Sequence, residues 1–134
     1  MRDFHIESKV VRVSENDKKV FDFLSDFRNF DRFIPPEVEQ WKSDSESCSF
    51  MAKGQQISLV LIEKEPNKTI KITSKTDSPV AFFIWIQLKA TDDVNTAIKL
   101  TVEADLNVFL RGMLEKPVKQ ALDKIADKLS TLKY

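Results

Sequence analysis

Residues 99–134 read KLTVEADLNVFLRGMLEKPVKQALDKIADKLSTLKY, and inside this stretch the apolar period changes from two to about 3.6. Leu100, Val102, Ala104 and Leu106 alternate with polar residues, the pattern of a strand with one buried face. From Leu110 onward, Leu114, Pro117, Ala121, Ile125 and Leu129, joined by Met113, Val118, Leu122 and Leu132, make a broad helical stripe. Arg111, Glu115, Lys119, Asp123 and Asp127 fall on the opposite face. Pro117 has no main-chain donor, so the spacing predicts a kink there or two abutting helices.

Upstream, residues 37–107 are short runs of period two separated by polar turns at Ser43–Ser47, Pro66–Asn67–Lys68, Asp77–Ser78–Pro79 and Asp92–Asp93. Connections this short make antiparallel hairpins and leave no room for parallel crossovers. The predicted strands are Val38–Ser43, Cys48–Met51, Gln56–Glu65, Thr69–Thr76, Val80–Ala90 and Thr96–Leu106. His5–Val13, with Ile6, Val10, Val11 and Val13, is read as a first strand. Between it and the hairpins lie two short helices. Ser14 is placed to cap the first, with Asp17 as its capping-box acid and Val20, Phe21 and Leu24 on one face. Asp26 caps the second, which carries Phe27, Phe30, Phe33 and Ile34 and ends at Pro35 and Pro36. The expected fold is therefore α+β, a seven-stranded curved antiparallel sheet wrapped around a long C-terminal helix. That helix is the one long amphipathic element able to cover the sheet.

The chain has 134 residues, room for a single domain spanning 1–134. Lys and Arg total 21 and Asp and Glu total 21, so no net charge draws the protein to nucleic acid or anionic lipid, and neither partner is expected. No apolar run suits a secretory signal or stable membrane insertion, which together with one cysteine points to the cytoplasm. Two glycines cannot build a phosphate-cradling loop, and one histidine with one cysteine cannot build a zinc site. No cofactor, no metal and no catalytic residue is assigned.

IESKVVRV followed by SENDKKVFDFLSDFRNFDRFIPP, and KLTVEADL running into the long helix, resemble the START-like or SRPBCC superfamily over the whole chain. Its helix-grip fold is found in polyketide cyclases, lipid-transfer domains and pollen-allergen-type carriers. FFIWIQLK and ADLNVFLRGMLEKPVKQALDKIADKL are similar to small bacterial members of uncharacterised function. One departure is Ser43-Asp44-Ser45-Glu46-Ser47, which has no glycine where the pollen-allergen branch has a glycine-rich loop. The resemblance implies a cavity between sheet and helix that binds or transports a hydrophobic or amphipathic small molecule, a lipid or an aromatic metabolite.

Alternation supplies the candidate lining: Trp41, Phe50, Ile57, Leu59, Leu61, Ile70, Ile72, Phe82, Ile84, Ile86, Leu100 and Val102 from strands, with Phe109, Leu110, Met113, Leu114 and Pro117 from the helix. The plainer alternative is that these side chains fill the core. Continuing the same alternation turns Glu63 inward, where it would serve an enzymatic alternative, a cyclase or dehydratase using a buried carboxylate. Phe83 and Trp85 fall on the convex face. They form either a partner surface, such as a homodimer interface or the contact of an accessory module, or a patch covered by neighbouring Lys and Gln stems.

Overall fold

The computed structural model of the protein describes residues 4–34, 38–52, 54–75 and 81–134. The stop at Pro35 and Pro36, the turn Asp77–Ser78–Pro79 and the strand ends at Thr76 and Val80 lie outside the described residues. In chain order the elements are β1 (Phe4–Glu7), β2 (Val11–Val13), α1 (Asp17–Leu24), a 3-10 helix (Phe27–Arg32), β3 (Glu39–Ser43), β4 (Ser47–Ala52), β5 (Gln55–Glu65), β6 (Thr69–Ser74), β7 (Phe82–Asp92), β8 (Asn95–Ala104) and α2 (Val108–Thr131). They form an antiparallel sheet of eight strands in the order β1-β8-β7-β6-β5-β4-β3, with β2 also paired to β8. The long helix α2 packs on β1, β2 and β8, at one side of that sheet.

The expected first strand is present as two pieces. Ser8 still pairs with Leu100, donating from its amide (2.8 Å) and accepting at its hydroxyl from the Leu100 amide (2.9 Å). The next pair on β8 is Val11 with Ile98, so β8 advances two residues while the partner strand advances three. The extra residue pushes Lys9 and Val10 out of the ladder. The displaced corner meets α2: the Lys9 amide donates to Asp123 (2.8 Å), its ammonium pairs with Asp127 (2.5 Å), and Lys119 donates to the Glu7 carbonyl (2.8 Å). The face of α2 opposite the apolar stripe is in part a polar clamp.

Asn16, two residues past Ser14, caps α1 by accepting from the Lys19 amide (2.8 Å), so Asp17 is the first helical residue. Asn caps as well as Ser does, and the position adjoining the helix wins. Asp26 does cap the second helix, accepting from the Arg28 amide (2.9 Å), but the element is 3-10. Asn107 caps α2 by accepting from the Leu110 amide (2.9 Å). Of the two expectations at Pro117, two abutting helices are not found: α2 continues through it as one helix. Pro117 and Met113 are both exposed, so the Met113 carbonyl that Pro117 cannot reach lies on the side open to water.

Candidate functional site

Strand pairing fixes which side chains share the concave face. One end of it is dry. Ile70 (0% exposed), Ile98 (0%), Ile86, Leu88 and Leu100 are buried there with Val20 and Leu24 of α1 and Leu122, Ala126 and Leu129 of α2. Toward the other end, Phe82, Ile84 and Val102 are only half-buried, although register places them in the same rows. Ile57 and Phe50, paired across β5 and β4, are half-buried as well.

Helix geometry explains the opening. Leu110, Leu114 and Val118 point down onto Phe4, Ala104 and Leu106. Lys119 and Asp123, about 100° to one side of that row, reach the β1–β2 corner. Phe109, Met113 and Pro117 lie about 100° to the other side, and so face away from β1 toward the strands α2 leaves uncovered. Phe109 is 75% exposed and Met113 52%. Phe50, Ile57, Phe82, Ile84 and Val102 are thus half-buried on the concave face, and Phe109 and Met113 on the neighbouring flank of α2 are exposed.

Of the expected lining, then, Leu59, Ile70, Ile72, Ile86 and Leu100 are core. Trp41, Phe50, Ile57, Leu61, Phe82, Ile84, Val102, Leu110 and Leu114 are half-buried, and Phe109, Met113 and Pro117 are exposed along the helix flank. Glu63 is not inward. A bulge between Leu61 and Glu63 breaks the alternation, setting Leu61 opposite Ile72 but Glu63 opposite Lys71. Lys71 lies on the convex face, where its ammonium sits over the rings of Phe83 (5.0 Å) and Trp85 (5.3 Å). Glu63 is therefore exposed on the outer face, and Lys64 takes the position opposite Ile70. Nothing in a run of apolar residues such as LVLI marks where a bulge falls.

Phe83 and Trp85 are outward as expected, and half-buried. The Lys71 stem and charge cover part of both rings. Beside them His5 bonds Glu7 (2.8 Å) and Glu103 (2.6 Å), which raise the histidine pKa. Cys48 is buried on the concave side, and desolvation pushes its thiol up to about 12, so it is no nucleophile at neutral pH. Among the described residues no group of three or more His, Cys, Asp or Glu could hold a metal ion. A cleft of about 280 Å³ at the dry end is lined by Ser14, Glu15, Ser130, Leu132, Lys133 and Tyr134, a mostly polar set away from the half-buried concave residues.

Alternation did not reveal the aromatic stack. Trp41 lies nearly parallel to Phe30 (14°, centroids 6.3 Å apart) and to Phe50 (23°, 5.7 Å). It joins the 3-10 helix to the β3–β4 hairpin.

No protein-family model matches the chain, and no curated protein does. Solved structures do. XoxI from Bacillus cereus superposes with a TM-score of 0.73 at 11% identity, covering 94% of this chain and 92% of that one. A START superfamily protein from Mycobacterium smegmatis gives 0.69 at 11% identity, covering 96% and 99%. The fold is START-like. A Chromobacterium violaceum protein gives the same score, 0.69, at 16% identity over 96% of each chain. Identities this low establish the START-like helix-grip architecture alone, and the concave face must be interpreted from its own residues. Among the described residues no helix is long and apolar enough to cross a membrane.

Proposed function

We propose that the protein, acting as one cytoplasmic domain over residues 1–134, binds or carries a hydrophobic or amphipathic small molecule in a groove between the sheet and the first half of α2. The observation that carries this is the row of apolar side chains left half-exposed on a face whose other end is dry. Exposed apolar groups on a concave surface gain about 25 cal/mol per Å² when a guest removes them from water. Phe109 and Met113 stand at the rim, and methionine adapts its unbranched side chain to a guest. The enzymatic alternative has lost its candidate residue, because Glu63 lies on the outer face. Native mass spectrometry of freshly purified protein tests the proposal. An apolar adduct released on activation supports it; bare chain mass, unchanged after incubation with decanoic acid and with 2-naphthol, overturns it.

A further inference from the structure

We propose that the convex face of the sheet pairs with the same face of a second copy of this chain, about a two-fold axis that runs across the strands between Phe83 and Trp85. This surface lies on the far side of the sheet from the concave residues, so the inference is independent of the binding role proposed above. Strand register sets its side chains in rows. One row reads His5, Glu103, Phe83, Thr73 and Val60, and the next reads Glu7, Thr101, Trp85, Lys71 and Glu63. Beyond the second row stand Lys99 and Glu65. Beyond the first, just past the ends of β8 and β6, come exposed Asp105 and Lys75. At the centre the Phe83 and Trp85 rings lie 6.0 Å apart on β7. Aromatic groups ringed by charge have the composition of an interface core and its rim.

Charge identifies both the occupant and the axis. Two copies of one sheet face can meet about an axis along the strands or about one across them. With the axis along β7, β1 of one copy lies over β5 of the other and Glu7 is set against Glu63, two carboxylates facing each other across a drying contact. With the axis across the strands, each strand lies over itself and the first row meets the second. Phe83 then faces Trp85 of the other copy, and His5 faces Glu7. One row out, Lys99 faces Asp105, and Glu65 falls beside Lys75. Each charge directly opposite another is now opposite in sign. Packed sheets cross at about 30°, which displaces these rim partners by about 5 Å, within reach of a lysine side chain. The face is thus complementary to itself. Five strands about 4.8 Å apart and four rows about 6.8 Å apart bury roughly 1,200 Å² in total when every row touches, the lower end of what a stable pair needs. The dimer is therefore reversible and sensitive to its rim charges.

Sedimentation equilibrium tests the inference. The native protein should pass from monomer to dimer as concentration rises, and Trp85→Lys, shown to be folded by circular dichroism, should remain monomeric. Lys99→Glu sets a carboxylate against Asp105, and Asp105→Lys sets an ammonium against Lys99, so each alone should weaken self-association by about tenfold. Mixed in equal amounts, the two variants should dimerise again, because both rim contacts between them become opposite in sign. Lys99 also bonds Glu7 of its own chain (3.0 Å), and mixing cannot repair the loss of that bond. A native chain that stays monomeric up to about 1 mM overturns the inference. So does a dimer that survives Trp85→Lys, or a mixture no more dimeric than its two components.

Discussion

The two ends of the concave face are built from the same residue types yet finish in opposite states. At one end, isoleucines 70 and 98 are sealed beneath α1 and the second half of α2. At the other, Ile84 and Ile57 remain half-buried. Apolar content does not decide between them. What differs is cover: the β1–β2 corner clamps α2 through Lys9, Asp123 and Asp127 along one flank, holding the helix over β1, β2 and β8. Farther across, α2 gives less cover, and Phe50, Ile57 and Ile84 stay half-buried. A single amphipathic helix is too narrow to roof a sheet of eight strands, and the lateral position of the clamp chooses which part stays open.

The largest effect should follow from cavity formation at the dry end. Ile70→Ala should cost about 2–5 kcal/mol in urea unfolding, whereas Ile84→Ala, whose side chain is already half-solvated, should cost about 1 kcal/mol. Comparable losses at both sites would break the contrast. Filling the open end comes next: Ile84→Trp should weaken 2-naphthol binding by about tenfold or more in calorimetry, with a stability loss of no more than about 1–3 kcal/mol. Pro117→Ala supplies the missing donor between the two halves of α2, and should stabilise by up to about 3 kcal/mol while slowing amide exchange in residues 108–116. Asp123→Ala removes an acceptor from the clamp and should cost about 1 kcal/mol. The smallest effect belongs to the outer face. Bonds to Glu7 and Glu103 raise the His5 pKa above its ordinary 6.5, so their stabilisation is full below that value and is lost as pH rises through the raised one. His5→Ala should therefore destabilise more at about pH 5.5 than at about pH 8.5, in matched thermal melts.

The change of period at Leu106–Leu110 and the polar turns made the helix-grip architecture legible, because both follow from local pattern. Alternation also placed Phe83 and Trp85 outward correctly. It failed at Glu63, where one bulged residue reversed the faces for the rest of β5. It also merged the two pieces of the first strand, since the Lys9–Val10 displacement is stabilised by α2, more than a hundred residues away. The distinction between lining and core was not in the pattern at all. Ile84 and Ile86 read identically in FFIWIQLK, yet packing leaves one half-buried and the other buried. The aromatic stack of Phe30, Trp41 and Phe50 was not legible either, because it needs the 3-10 helix docked on the β3–β4 hairpin.

Isoleucine methyl NMR reads both ends of the face in one experiment. On titration with 2-naphthol or decanoic acid, the methyl signals of Ile57 and Ile84 should shift in a saturable way with at least one of the two, while those of Ile70 and Ile98 hold still. Shifts centred on Ile70 and Ile98, or none at Ile57 and Ile84 with either compound, would contradict a groove confined to the open end.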